Sequence, residues 1–101
     1  MRKKVAGALS ICNATSLKYP FVGVAQCLNE LCDVVYVGVD SRFEDDVAAL
    51  SIPELKDKTK LCFNEWNLGN NDKGSEIALQ METLVLKAAS DGADWVVVLQ
   101  A

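Results

Sequence analysis

Two side chains that could bind a ligand, the carboxylate of Asp40 and the hydroxyl of Ser41, directly follow an unbroken apolar run at positions 34–39. Such a run, without alternation of apolar and polar residues, is typical of a parallel strand that is covered on both faces. Open α/β sheets bind their ligands beyond the carboxyl ends of such strands, where a carboxylate can accept hydrogen bonds from N–H or O–H groups. The alternative is that Asp40 only caps a turn with Ser41, as Asx residues often do.

Several other kinds of site are excluded by composition. The chain has no histidine, so it cannot carry a Ser-His or Cys-His nucleophile pair. Its four cysteines, Cys12, Cys27, Cys32 and Cys62, form no C-x-x-C pair and lack the usual zinc spacings. They fall in predicted strands or in a predicted helix. We therefore interpret them as reduced, buried thiols that act as small hydrophobic residues and hold no metal.

Length and charge narrow the class of protein further. A chain of 101 residues, of which half are hydrophobic and 24% are charged, suits a single globular domain over 1–101. The net charge of −4 leaves no basic stripe to meet phosphates, which argues against nucleic-acid binding. No apolar stretch approaches the ~20 residues that span a bilayer, and no cleavage site of a secretory signal follows the basic start. We therefore expect a soluble, cytoplasmic protein.

A sheet is needed to position Asp40 and Ser41, and the order of apolar runs along the chain predicts one. Apolar runs predict four strands, at 5–12, 34–39, 59–63 and 95–99. The segments between them predict helices at 21–32, 44–50 and 77–89. This alternation predicts an α/β fold with a mainly parallel, Rossmann-like sheet, in the order third, second, first, fourth strand, and with helices on both faces. Because Leu79 and Leu86 widen the apolar stripe of the last helix, we expect this helix to be well buried.

A loop at 64–74, rich in asparagine and glycine, separates the third strand from the last helix. Loops of this length in a small domain are usually functional. Trp66 lies within it and could form a lid over a ligand, or it could simply close an edge of the core. Lys73 and Gly74 stand at the end of the loop.

A longer pattern runs through nearly the whole chain. Its parts are the first strand through Asn13, then Tyr19-Pro20-Phe21, Asp40-Ser41 with the acidic Glu44-Asp45, Trp66-Asn67, Lys73-Gly74-Ser75-Glu76-Ile77, and the last strand from Asp94 to Ala101. This pattern resembles the amino-terminal, nucleotide-sugar-binding half of family 2 glycosyltransferases, which have the GT-A fold. The resemblance implies an enzyme that takes a nucleotide-diphosphate sugar as donor and transfers the sugar to an unidentified acceptor.

The resemblance also implies which residues contact the nucleotide. Those that follow the first two strands are Cys12, Asn13, Asp40 and Ser41. Three more match family positions but have alternatives. Asp45 could simply place a favourable charge at a helix amino terminus, and Lys73 and Gly74 could belong to a solvated loop instead of approaching phosphate. The chain departs from the family in the longer spacing before Asp45. It also has Glu82 and Thr83 where many relatives have an asparagine, which argues against base contacts from the last helix.

No metal ligand is predicted within the chain. In the resembled family, the last strand runs into an acidic pair that binds a divalent cation, Mn²⁺ or Mg²⁺, and here that pair is expected just after Ala101. We therefore expect a donor-binding fragment of a larger enzyme, inactive by itself and able to self-associate through an exposed terminal strand. The alternative is a small non-catalytic α/β binding or regulatory domain. A dinucleotide-binding domain is disfavoured because no G-x-G-x-x-G follows the first strand.

Overall fold

The second strand lies in the interior of a four-stranded, fully parallel sheet. In the computed structural model, which describes residues 3–69 and 72–99, the strand order is β3-β2-β1-β4. The elements follow one another as β1 Val5–Ser10, α1 Phe21–Leu31, β2 Val34–Asp40, α2 Glu44–Leu50, a 3₁₀ turn Pro53–Leu55, β3 Thr59–Asn64, α3 Lys73–Ser90 and β4 Trp95–Leu99. The predicted α/β fold, parallel sheet and strand order are confirmed.

Strand β2 is buried along its whole length because helices cover both faces of the sheet. One face packs against α1, in a core that includes Val35, Val37 and Leu28. The other face packs against α3, in a smaller core that includes Tyr36 and Leu84. An unbroken apolar run, with no polar side for water, is what such a two-sided environment requires.

Two glycines in the central strands allow the helices to approach closely. A Cβ on Gly7 would lie 3.2 Å from both Cys32 and Leu28 on the α1 face, and one on Gly38 would lie 3.3 Å from Leu84 on the α3 face. The absence of a side chain at these positions therefore sets how closely each helix lies to the sheet.

The two long helices each leave leucine side chains exposed to water. Leu31 is 70% exposed, Leu79 56% and Leu86 61%, and Cys27 on α1 is also exposed. Each helix packs against a single sheet face, so only a narrow stripe reaches the core, and leucines beside that stripe remain in water. The expectation that the last helix is well buried was wrong, and so was the interpretation of Cys27 as a buried thiol.

Two other boundaries differ from the predicted ones by two to four residues. Cys12 lies in a bend after β1, which ends at Ser10. Helix α3 begins at Lys73, so Lys73 and Gly74 belong to its first turn and not to the preceding loop as predicted. The reason is a helix cap, because the side chain of Asp72 accepts a hydrogen bond from the backbone N–H of Ser75 at 3.0 Å.

The end of the sheet where the strands begin is closed by a buried tyrosine. The Tyr36 hydroxyl donates to the Asp91 carboxylate at 2.6 Å, just beyond the end of α3. Burial, together with this bond, raises the pKa of Tyr36 to about 12. Among the residues described, no helix is both long enough and apolar enough to cross a membrane.

Candidate functional site at the carboxyl edge of the sheet

A cleft opens where the strands end. It consists of two adjoining cavities, with volumes of about 150 and 300 Å³, that share Cys12, Tyr19, Trp66 and Ile77 as walls. Met81, one turn along α3 from Ile77, lines the smaller cavity. We call this region the edge cleft. It is mostly apolar with two aromatic walls, which is the usual character of small-molecule sites.

The floor of the edge cleft carries one hydroxyl. Ser10, the last residue of β1, lines the smaller cavity. Successive side chains of a strand point to opposite faces. Ser10 therefore lies on the same face as Ala6 and Ala8, which is the face covered by α3. Its Oγ is buried and has no hydrogen-bond partner among the described residues. The hydroxyl is therefore shielded from water, although its residue lines the cavity.

Asp40 is fully buried behind the cleft and is held by its own neighbours. Its Oδ1 accepts from the backbone N–H of Arg42 at 3.0 Å and from Arg42 Nε at 2.9 Å. Its Oδ2 accepts from the second guanidinium nitrogen of Arg42 and, at 2.9 Å, from the backbone N–H of Trp66. The hydrogen bonds from Arg42 lower the pKa of Asp40 to about 2, although burial opposes this shift.

The same ion pair fixes both polar backbone groups of Trp66. Arg42 donates to the Trp66 carbonyl at 2.7 Å while Asp40 accepts from the Trp66 N–H. Trp66 is therefore tied to the end of β2, and its position as a wall of the cleft depends on the Asp40–Arg42 pair. The Arg42 side chain remains 43% exposed, so its guanidinium borders solvent next to this wall.

Two more buried carboxylates hold the loops around the cleft. Asp46 accepts from the backbone N–H groups of Ala14 and Thr15, at 3.0 and 2.8 Å, and so fixes the loop after β1. Glu76 accepts from the backbone N–H of Asn67 at 2.9 Å and fixes the loop after β3. Asp46 lies in the first turn of α2, where acids usually face solvent, yet its side chain is buried and turned inward.

The predicted site residues occupy different parts of this edge. Cys12 is a wall of the cleft, and burial, followed by the nearby charge of Asp40, raises its pKa to about 11. Its thiol is therefore protonated at neutral pH and unsuited to nucleophilic attack. Asn13 has a left-handed backbone, with φ of 57°, and lines a neighbouring hollow of about 270 Å³ together with Arg42 and Asp45.

The remaining predicted residues lie outside the cleft walls. Ser41 is exposed in the turn after β2, and Asp45 is exposed in the first turn of α2. Gly74 is exposed in the first turn of α3. The side chain of Lys73 lies outside the described part of the structure. The structure thus brings Cys12 and Asp40 to the cleft region, while the hollow holds Asn13 and Asp45.

The residues present do not form a metal centre. Across 3–69 and 72–99, no three side chains of His, Cys, Asp or Glu are grouped so that they could hold an ion. The carboxylates of Asp40, Asp46 and Glu76 bond to backbone N–H groups instead. The cation that the resemblance implies therefore has no ligand set among the described residues.

Sequence reasoning missed several residues of the site. Ser10 could have been found as the single polar residue in the strand VAGALS. Arg42 follows Asp40 by two positions, a spacing that lets a long side chain fold back, but the same spacing also suits an arginine in solvent. Ile77 and Met81 fit the helical spacing of apolar residues in α3. That spacing does not show which of these residues line a cleft and which pack in the core.

Comparison with known proteins assigns no family. No family model matches the chain, and no match was found among curated proteins or solved structures.

Proposed function

We propose that the edge cleft binds the nucleotide of a nucleotide-diphosphate sugar, and that the chain is the donor-binding portion of a glycosyltransferase similar to family 2. The observation that carries this proposal is the position of the cleft in the sheet. The chain runs from β1 through β2 to β3 on one side and then places β4 on the other side of β1. Ligands of open α/β sheets bind at such a switch point, and residues that follow β1 line the cleft.

The walls of the cleft suit a nucleobase. Tyr19 and Trp66 offer aromatic surface in both cavities, and stacking of a base on an aromatic side chain contributes about 1–3 kcal/mol. The two cavities together also fall within the size range of ordinary ligand sites, which begins at roughly 300 Å³.

The phosphates would extend toward Arg42. Its half-exposed guanidinium donates to the carbonyl of Trp66, a wall of the cleft, and guanidinium groups match phosphate oxygens in geometry and charge. The hollow beyond Arg42 contains the carboxylates of Glu44 and Asp45, which repel phosphate. The diphosphate is therefore expected to stop at Arg42 and not to enter the hollow.

Calorimetric titration with uridine, guanosine, adenosine and cytidine diphosphates tests this proposal. We expect at least one of them to bind, and Trp66→Ala to weaken that binding tenfold or more, because loss of stacking costs about 1–3 kcal/mol. Trp95→Ala is the matched control, since Trp95 is 64% exposed on β4 and is not a wall of the cleft. If no diphosphate binds, or if both variants bind like the wild type, the proposal is wrong.

A second candidate is a non-catalytic binding module. The observation that favours it concerns the three buried carboxylates, those of Asp40, Asp46 and Glu76. Each accepts a hydrogen bond from a backbone N–H group, so none of them is placed as a general base. Affinities for a nucleoside diphosphate and for the same diphosphate carrying a sugar separate the two candidates. A donor site should bind the two ligands differently, whereas a module that reads only the nucleotide should bind them equally.

Self-association through the terminal strand stays a prediction. In the described part of the chain, β4 is the outer strand next to β1. It exposes Trp95, Val98 and Leu99 and contains no charged residue between 95 and 99. Edge strands are usually protected from pairing by charges, proline or bulges, so this edge is suited to pairing with a second copy.

A further inference from the structure

The Arg42 guanidinium joins two segments that are distant in sequence, the end of β2 and the loop after β3. Its Nε donates to Asp40 Oδ1, and its Nη2 donates both to Asp40 Oδ2 and to the Trp66 carbonyl. These bonds leave the N–H groups of Nη1 without an acceptor among the described residues. Because the side chain is 43% exposed, a ligand can bond to Nη1 without displacing Asp40 or Trp66.

The Trp66 wall depends on this bridge for its position. Its backbone N–H donates to Asp40 at 2.9 Å, and its carbonyl accepts from Arg42 at 2.7 Å. Asp40 is fully buried and belongs to the central strand, so it is the fixed end of the bridge. Arg42 is half exposed and is the adjustable end. The freedom of the Arg42 side chain therefore sets the freedom of a wall that both cavities of the edge cleft share.

We infer that Arg42 is a positioning residue that couples two parts of the ligand site: a phosphate held by its guanidinium fixes the Trp66 wall and so strengthens the stacking of a base. This inference rests on the proposed function, because phosphate and base are taken to belong to one nucleotide. A half-exposed arginine loses side-chain freedom when an anion binds to it. A ring that then stacks on Trp66 has less freedom left to remove. Such coupling is reciprocal, so a stacked base strengthens phosphate binding by the same factor.

Equilibrium titration of the wild type measures this coupling without any substitution. The ligand is the free nucleoside whose diphosphate binds best, titrated with and without inorganic pyrophosphate, and sodium chloride at equal ionic strength is the control. We expect pyrophosphate to tighten nucleoside binding about fivefold or more, which is the lower end of usual couplings. An unchanged or weakened affinity for the nucleoside would contradict the inference.

Variants at Arg42 test the positioning role separately from the charge. Arg42→Lys keeps the charge, but its side chain is one bond shorter and has no planar fork to join Asp40 to the Trp66 carbonyl. Arg42→Lys and Arg42→Gln should both weaken nucleoside binding about tenfold, as loss of stacking implies, although a nucleoside carries no phosphate. Lys56→Gln is the matched control, since it removes a positive charge at an exposed position outside the cleft walls. It should bind the nucleoside like the wild type.

The fluorescence of Trp66 gives a second readout of its position. The chain has two tryptophans, so Trp95→Phe leaves Trp66 as the only source of tryptophan emission. In this background, Arg42→Lys should raise the quenching of that emission by acrylamide, because the wall is released into solvent. Equal quenching with arginine and with lysine at position 42 would show that the guanidinium does not hold Trp66.

The outcomes separate this inference from the proposed function. If the wild type binds none of the four diphosphates, the proposed function and the inference fail together. If the wild type binds one of them but Arg42→Lys binds the nucleoside as tightly as the wild type, the inference alone is wrong. The pyrophosphate titration decides the matter in the same way if a variant at Arg42 does not fold.

Discussion

Replacement of Asp40 by asparagine should destabilise the protein in a way that depends on pH. The substitution keeps the shape of the side chain but removes the charge that receives three hydrogen bonds from Arg42. In the variant, the asparagine side chain would present an NH₂ group in place of one carboxylate oxygen. This NH₂ group cannot accept a hydrogen bond from the Arg42 guanidinium. We expect the variant to be less stable than the wild type at neutral pH.

The magnitude follows from the pKa of Asp40. Arg42 lowers it from the ordinary value of 3.8 to about 2, and each unit corresponds to about 1.4 kcal/mol. The folded protein favours the charged carboxylate of Asp40. The contribution of this charge to the free energy of unfolding is therefore complete above about pH 4 and is lost as the pH falls through 2. Because the Arg42 side chain is 43% exposed and partly screened by water, we expect a difference of about 2 kcal/mol at pH 7.

Urea unfolding of both proteins between pH 7 and pH 2 measures this difference. The wild type should approach the stability of Asp40→Asn as the pH falls from 4 to 2. Asp57→Asn, at an exposed position before β3, should change stability by less than about 0.5 kcal/mol at every pH. A difference between wild type and Asp40→Asn that is absent at pH 7, or equally large at pH 2, would refute the assignment of Asp40 as the charged partner of Arg42.

Three further predictions concern other parts of the fold. Tyr36→Phe should lower the free energy of unfolding by about 1–2 kcal/mol, measured with urea at pH 7, because the bond to Asp91 is lost; an unchanged value would show that this bond contributes nothing. At pH 8 Cys12 should react with iodoacetamide more slowly than the exposed Cys27, as followed by mass spectrometry, because the pKa of Cys12 is raised to about 11; equal rates would contradict its burial. Trp95→Lys should shift any self-association seen by sedimentation toward monomer, since it places a charge on the exposed strand; an unchanged distribution would exclude β4 as the contact.

The fold could be predicted from sequence because its central signal is strong. The apolar run of β2 has no polar side, so a parallel strand between two helix layers is its natural environment. The extent of helix burial could not be predicted in the same way. Leu79 and Leu86 fit a wide stripe by spacing, yet their exposure depends on how many elements pack around α3, which spacing does not encode.

The site was predictable in position but less so in the role of each side chain. The end of β2 pointed to the edge of the sheet at which the cleft lies, but the sequence does not show that Arg42 folds back onto Asp40. Similarly, three consecutive acids begin α2, and only the structure shows that Asp46 alone is turned inward to the loop after β1. These roles depend on contacts between segments that are distant in sequence, and local patterns carry no signal for them.

The most direct test of the proposed nucleotide site is an NMR titration of the ¹⁵N-labelled chain with the nucleoside diphosphate that binds best. We expect the amide signals of Ser10, Cys12 and Trp66 to shift in a saturable manner, because these residues line the edge cleft. The amide of Thr59, at the opposite end of the sheet, should not move. Shifts confined to the Thr59 end, or no saturable shift at the cleft, would contradict the claim that the carboxyl edge of the sheet binds a nucleotide.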